Sequence, residues 1–487
     1  MASCLMVQGT ASHVGKSIVA AGFCRVFSDM GLSVAPFKSQ NMSLNSFVTR
    51  EGGEIARAQE LQARAARVEP SVLMNPLLLK PRGAESCEVL VLGTSAGDFS
   101  AREYGGEVRP RALEVIRESL EALGESHDVV VIEGAGSPAE INLRRYDLCN
   151  MKVARMAQAP VLLVADIDDG GALAAVVGTL ALLRPWERDM VGGVVVNKFR
   201  GDFELLVPGL RIIERKTGKK VLGVLPFIDC SYLDEEDTLR DYGETTAEIA
   251  VVRLPYTSNF TDFTPLARAA PLKWVTSPEE LEGVRAVIVP GSRNTVNDLQ
   301  WLVRGGMAAA IRGLAAVGVV VIGVCGGYQI LGEKLLDPEG VEGVPGEYDG
   351  LSLLPVTTRY ERPKTTRQVT ATVACEIPAL PGLLGRKLGG YEIHTGRVEV
   401  RGEQPLLFDR GDGRASDGAV STEGTVFGTH LHGLFDDPDV VKALLERLGI
   451  DSSAPGYRAL AERSLDELAG LIKERLDVEY ICGLMGI

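Results

Sequence analysis

Near the amino terminus an apolar run, residues 3–8, feeds a glycine-bracketed loop, Gly9-Thr10-Ala11-Ser12-His13-Val14-Gly15-Lys16-Ser17. Behind it Ile18, Val19, Phe23, Val26 and Phe27 recur at helical spacing, and Gly31 supplies a stop. This feature constrains the fold more than any other in the chain. A buried strand that hands over directly to a helix belongs to a parallel sheet, because the next parallel strand is reached only by a crossover. Further apolar runs begin at residues 34, 129, 161, 194 and 221, separated by helical stretches. The expected fold class is therefore α/β, with a doubly wound parallel sheet in the N-terminal half.

The loop itself is a phosphate cradle. Backbone N–H groups from Gly9, Thr10 and Gly15 and the following helix N-terminus face phosphate oxygens, Lys16 neutralises the outer phosphates, and the Ser17 hydroxyl ligates Mg²⁺. Five residues separate Gly9 from Gly15, one more than in the strict Walker form. A chance Gly-Lys-Ser in a surface turn would lack the strand before it and the helix after it. The run 129–132 ends in Glu133 and then Gly-Ala-Gly. An acid at a strand end beside a P-loop reaches Mg²⁺ or its waters; the plainer alternative is an acid capping the next helix. Asn197, at another strand end, is placed to read the adenine edge by analogy to related nucleotide folds. Lys38, Gln40, Asn41 and Asn45 lie in a polar loop after the second strand, where ligands bind in such sheets, and are expected to meet a carboxylate-bearing substrate. A solvated loop is the other reading of that composition. A helix is expected over 51–67 and a strand near 89–92.

A chain of 487 residues predicts two to three domains. Its net charge of −14 argues against a nucleic-acid or anionic-membrane surface as the main function. Eight cysteines are scattered without any C-x-x-C, which argues against zinc or a disulfide framework and fits a reducing cytoplasm. No apolar run approaches about 18 residues, so no membrane span is expected. The acidic stretch 229–249 reads as a connector, which places a boundary near 245 and two domains over 1–240 and 246–487.

The second half carries its own nucleophile signature. The run 319–322 is followed by Gly323-Val324-Cys325-Gly326-Gly327 and the start of a helix. A nucleophile bracketed by small residues between strand and helix is the elbow pattern, with cysteine in place of serine. It lifts the Cys325 sulfur out of the strand and aims the Gly326 N–H at an oxyanion. A lone cysteine beside a tight turn is ordinarily just a small buried residue. Here Gly428 to Phe435 supplies His430 and His432, two of only five histidines, and Cys with His is the usual nucleophile–base pair. An ordinary thiol with pKa about 8.5 is only a few per cent thiolate at pH 7, so the elbow and His432 are expected to favour the thiolate. His394 is open between a structural role and a place at the domain boundary.

These two stretches resemble class I glutamine amidotransferase domains. That resemblance makes Cys325 the nucleophile on the glutamine amide and His432 the proton relay, with a second oxyanion N–H around Gly291 or Ser292. The wider family carries an acid two residues after the histidine. Leu434 stands there in this chain, as in the branch acting on cobyrinic acids, which leaves open what orients His432. The N-terminal loop resembles the dethiobiotin synthetase and cobyrinic-acid-amidating group of P-loop proteins, which phosphorylate a substrate carboxylate. Residues 38–46 (KSQNMSLNS), 53–59 (GEIARAQ) and 74–81 (MNPLLLKP) closely resemble the cobyric acid synthase family, and the likeness spans nearly the whole chain. Two places depart from the family pattern: Leu143-Arg144-Arg145-Tyr146-Asp147 replaces Leu-Arg-Asp-Arg-Asp, and Asp169 stands where an arginine is usual. The resemblance implies a carbon–nitrogen ligase that amidates four peripheral carboxylates (b, d, e, g) of adenosylcobyrinic acid a,c-diamide. ATP, glutamine and Mg²⁺ take part, through an acyl phosphate and ammonia from a Cys325 thioester. The corrinoid is then substrate rather than cofactor, and no Asp-x-His-x-x-Gly cobalamin motif occurs. The alternatives are the sibling synthase for the a and c carboxylates, and a P-loop regulatory ATPase carrying an inert amidotransferase-like module.

Overall fold

β-branched apolar runs become fully buried strands in the computed structural model, which describes residues 2–81, 86–228, 233, 247–451 and 456–487. The chain divides into two compact units. One comprises Met1–Ser43, Gly53–Glu236 and Ala461–Ile487; the other comprises Leu44–Gly52 and Asp237–Leu460. The expected boundary near 245, with the acidic run 234–237, lies outside the described residues.

The first unit is built on six strands: β1 (Ser3–Gly9), β2 (Val34–Phe37), β3 (Val129–Glu133), β4 (Val161–Asp166), β5 (Val191–Phe199) and β6 (Val221–Pro226). They pair in parallel in the order β6-β5-β4-β1-β3-β2. The chain leaves β3 on one side of β1 and re-enters at β4 on the other. This reversal of strand order opens a crevice at the carboxyl ends of β1 and β3. Helix α1 (Lys16–Asp29) rises from the loop after β1.

Two local expectations change. The helix expected over 51–67 occupies only Arg57–Ala65, and Glu54–Ala56 is extended, because Gly52 sits at φ 85 and interrupts helical φ. The strand expected near 89–92 starts earlier, Ser86–Val91.

The second unit has its own sheet of β7 (Ile249–Val252), β8 (Leu272–Val275), β9 (Ala286–Val289), β10 (Val320–Val324), β13 (Ala419–Val420) and β14 (Val426–Thr429), in the order β8-β7-β9-β10-β14-β13. All its pairs are parallel except the edge pair β13–β14. A long antiparallel hairpin, β11 (Val356–Val373) and β12 (Lys387–Val400), belongs to a second sheet.

The two compact units exchange two segments relative to a division into 1–240 and 246–487. The carboxyl-terminal helices Tyr457–Arg475 and Val478–Met485 carry Leu465, Leu468, Ile472 and Ile481 into the same core as Leu5, Val7 and Phe23. A Cβ at Gly22 would stand 2.2 Å from Ile472 Cδ1, so α1 and the last helices meet at a glycine contact. Arg25, 2 % exposed, pairs with Glu462 at 2.5 Å. In the other direction Leu44–Gly52 packs within the second unit. Both exchanges follow from side-chain burial, which a boundary drawn from a local charge run does not register.

Candidate active sites

At the carboxyl end of the first sheet the glycine loop closes on itself. Gly15 has φ 94, and Lys16, 6 % exposed, turns back so that Nζ donates to Ala11 O at 2.9 Å. The Ser17 hydroxyl donates to Glu133 Oε1 at 2.8 Å. Glu133 is fully buried, and a buried carboxylate requires a counter-charge. Lys38 Nζ supplies it, 2.9 Å from Oε1, and Gln62 Nε2 donates to Oε2 at 2.6 Å. The hydroxyl and carboxylate oxygens of Ser17 and Glu133 are the hard donors that Mg²⁺ prefers. No group of three or more His, Cys, Asp or Glu among the described residues forms a ready-made metal cage. The pair therefore fits an ion whose remaining ligands are phosphate and water.

The structure separates the residues expected to meet the substrate. Lys38 neutralises Glu133 rather than standing free for a substrate acid. Asn41 Nδ2 donates to Gln59 Oε1 at 2.9 Å, and Gln40 Oε1 accepts from the Tyr104 hydroxyl. Asn45 belongs to the second unit, where its Oδ1 accepts from Thr261 N at 3.4 Å. Asn197 Nδ2 donates to Val14 O at 2.9 Å and lies 2.3 Å from where a Gly15 Cβ would stand. That N–H bond braces the phosphate loop. Asp169 is exposed, and nothing in the structure explains it. Gln62 is a site residue the sequence reading missed. Its only signal was a polar residue on the buried face of an otherwise ordinary amphipathic helix.

In the second unit Cys325 lies between β10 and the short helix Gly326–Leu331 with φ 53 and ψ −109. This is a strained conformation for a non-glycine residue, held here because its surroundings determine it. The Cys325 N–H donates to Thr429 O at 2.8 Å. A Cβ at Gly327 would lie 1.9 Å from Val289 O, and one at Gly323 would lie 2.7 Å from Tyr328 N. The glycine bracket is thus a demand of backbone packing. A Cβ at Gly326 would lie 2.8 Å from Ser292 N, so Gly326 packs closely against the Ser292 backbone. Gly291 instead lies against the histidine: a Cβ there would stand 3.4 Å from His432 Cε1. The Gly291–Ser292 turn is anchored by Asp298, which accepts from Ser292 Oγ at 2.5 Å and Tyr256 N at 3.1 Å. Burial pushes the Asp298 carboxyl up to about 7.

His432 is 1 % exposed, and Asp262 orients it: Nδ1 and Asp262 Oδ2 are 2.6 Å apart. Burial disfavours a charged ring, but the Asp262 carboxylate and the Cys325 sulfur charge outweigh it and push His432 up to about 10. Tyr391 stacks on the ring at 5.1 Å and 11°, and its backbone exchanges hydrogen bonds with His432. Asn259 Nδ2 lies 3.4 Å from Nδ1 and 3.2 Å from the Tyr391 hydroxyl. Both supports are tied to the segment Leu44–Gly52. The Ser46 N–H donates to Asn259 Oδ1 at 3.1 Å, and Ser46 O accepts from Tyr391 at 2.9 Å. The question left by Leu434 is answered by an acid 170 residues upstream.

His430 and His394 form a separate buried network. Their rings stack at 3.9 Å, with His430 held by Asp417 at 2.7 Å and His394 by Gly396 O at 2.7 Å. Burial, helped by the neighbouring His430, holds His394 below the usual histidine range. His394 is thus part of the interior scaffold behind Cys325.

Replacing Asp262 by Asn keeps the shape but removes the charge and can present the wrong hydrogen bond to Nδ1. The expected result is a loss of about a hundredfold in kcat for glutamine hydrolysis. The sign of the pH effect follows from the raised histidine. With Asp262 the ring keeps its proton up to about 10; without it the ring deprotonates at lower pH, so the alkaline limb of the rate profile moves down. A profile measured on both proteins checks this, and an unmoved limb would mean that Asp262 does not govern His432.

A P-loop unit with a hydroxyl–carboxylate pair and a unit with a Cys–His–Asp arrangement define a class: ATP-dependent ligases of the glutamine amidotransferase type. Residues 5–238 match the CobQ/CobB/MinD/ParA nucleotide binding domain, and residues 248–440 match the CobB/CobQ-like glutamine amidotransferase domain. Cobyric acid synthase of Moorella thermoacetica is 47% identical over 508 residues, spanning 100% of this chain and 98% of that protein. Cobyric acid synthase of Pelotomaculum thermopropionicum is 48% identical over 511 residues, spanning 100% and 97%. The chain belongs to the cobyric acid synthase family. No helix among the described residues is long and apolar enough to cross a membrane.

Proposed function

We propose that this chain performs the ATP- and glutamine-dependent amidation of the b, d, e and g carboxylates of adenosylcobyrinic acid a,c-diamide, in the cytoplasm. The observation that carries the reading is Cys325 in a strained elbow with His432 held by Asp262, joined in one polypeptide to Ser17 and Glu133 at the phosphate loop.

A carboxylate does not condense with ammonia in water, because oxide is too poor a leaving group. Transfer of the ATP γ-phosphoryl to a corrinoid carboxylate makes an acyl phosphate, whose leaving group is phosphate. Lys16 and the loop amides hold the phosphates, and Ser17 with Glu133 would hold Mg²⁺, which supplies charge neutralisation at the transferring group. Lys38 and Gln62 hold the Glu133 carboxylate in place, one on each oxygen. In the other unit the Cys325 sulfur attacks the glutamine amide carbon. The Gly326 amide, with Ser292 or Gly291, stabilises the oxyanion, and His432 gives its proton to the departing nitrogen. Ammonia leaves neutral, and water then cleaves the thioester to glutamate. The ammonia displaces phosphate from the acyl phosphate to give the amide.

Incubation with the diamide, ATP, Mg²⁺ and glutamine tests this. Four successive acid-to-amide conversions, seen by mass spectrometry, are expected. Two conversions on the unamidated acid, with none on the diamide, would point to the sibling synthase. ATP hydrolysis that leaves glutamine untouched would point to a regulatory ATPase.

A further inference from the structure

Two clefts of the first unit, ≈ 360 Å³ and ≈ 510 Å³, share Arg144, Asp147, Met151 and Glu187 in their walls and so adjoin as the two ends of a trough. The smaller end is lined by Gln40, Ala135 and Gly136, directly after Glu133. Asn150 fixes that turn, accepting from Ala135 N at 3.2 Å and donating to Ala135 O at 2.7 Å. The larger end is cationic, with Arg145, Lys152, Arg155 and Arg184. None of these four has a carboxylate within ion-pair distance among the described residues, whereas Arg144 lies 3.5 Å from Glu187. Asp147 and Glu187 on the same wall are outnumbered by these cations, and the Asp147 oxygens are turned to the backbone N–H groups of Cys149, Asn150 and Lys152. Both ends also expose apolar side chains: Ile141 at the larger is 48% exposed, and Leu143 and Tyr146 at the smaller are 53% and 42% exposed.

Arg145 lies over the Tyr146 ring and Arg155 over the Trp186 ring; cations with no carboxylate partner among the described residues, beside exposed apolar groups, form a surface for an amphiphilic polyanion. We propose that this trough binds the acid substrate, an apolar macrocycle fringed with carboxylates. One carboxylate reaches the Glu133 end for phosphorylation while others meet the cations at the far end. The inference rests on the proposed function and adds to it the binding surface. Four different carboxylates must reach one phosphorylation point in turn, so the macrocycle has to bind in several orientations. A broad trough with redundant cations permits this; a close-fitting pocket would not. Each amidation removes one negative charge, so affinity falls as the reaction proceeds and the finished amide leaves. The departure from the family pattern at Arg145 and Tyr146 falls within this wall.

The test is direct binding of the diamide substrate and of the fully amidated product to the wild type and to Arg145→Gln, Lys152→Gln and the double variant, by calorimetry. The expected result is about a tenfold weaker diamide affinity per charge removed, with a shallower salt dependence. Product affinity and ATP affinity should stay unchanged. Arg145→Lys should restore most of the loss. Unchanged diamide affinity in the double variant overturns the assignment, and so does an equal loss for ATP, which would place these cations at the nucleotide. Ammonia-driven amidation by the wild type is run alongside. A wild type that binds the diamide in the trough without amidating it would sink the proposed function and leave the binding surface standing.

Discussion

Cys325→Ala should abolish amidation driven by glutamine, by at least about a thousandfold, while amidation driven by ammonium salts stays within about twofold. In the proposed mechanism the side chain removed is the group that forms the thioester. The fold should tolerate the change. Cys325 is 6 % exposed, and its sulfur makes a weak bond to Ile393 O at 3.4 Å. Its N–H bond to Thr429 O is backbone and survives. The strained φ of 53 is equally awkward for alanine, so the substitution neither relieves nor adds backbone strain. The ammonia arm is run at alkaline pH, where more of the added ammonium is unprotonated. Loss of both nitrogen sources together would show that the cysteine supports the fold rather than the chemistry.

Lys16→Ala should show the complementary pattern: amidation falls by about a thousandfold from either nitrogen source, because phosphoryl transfer depends on charge neutralisation at the outer phosphates. Lys16 is buried at 6 % and its ammonium donates to Ala11 O, within its own loop. Glutamine hydrolysis measured without the corrinoid should persist, since Cys325, His432 and Asp262 lie in the other unit. Normal amidation in this variant would remove the phosphate-cradle reading. The two substitutions thus divide one overall reaction into an activation that needs the first unit and a nitrogen release that needs the second.

Which parts of this were legible in the chain itself follows from range. The glycine loop, Glu133 at the end of β3, the elbow around Cys325 and the His-Gly-Leu-Phe run are each written in fewer than about fifteen consecutive residues. Their residue types answer to local backbone geometry and local chemistry: Gly15 sits at φ 94 and Cys325 at φ 53, and a lysine and serine after Gly15 suit a phosphate cradle. The parallel sheets were readable for the same reason, because each buried strand is a continuous apolar run.

Tertiary structure decided what those local runs are joined to. Asp262 is an ordinary acid in a polar stretch until the fold sets it 2.6 Å from His432, and the position two residues after the histidine, where an acid was sought, holds Leu434. Lys38 and Gln62 share the Glu133 carboxylate only because a buried charge must be neutralised wherever the chain brings it. Asn45 and Ser46 pass to the second unit, and the last two helices to the first, through apolar and hydrogen-bonded contacts between residues far apart in sequence. By itself, then, the amino-acid order determined which chemical groups exist and in what local geometry. Long-range burial and charge pairing determined which of them act on one another, and no window of neighbouring residues carries that information.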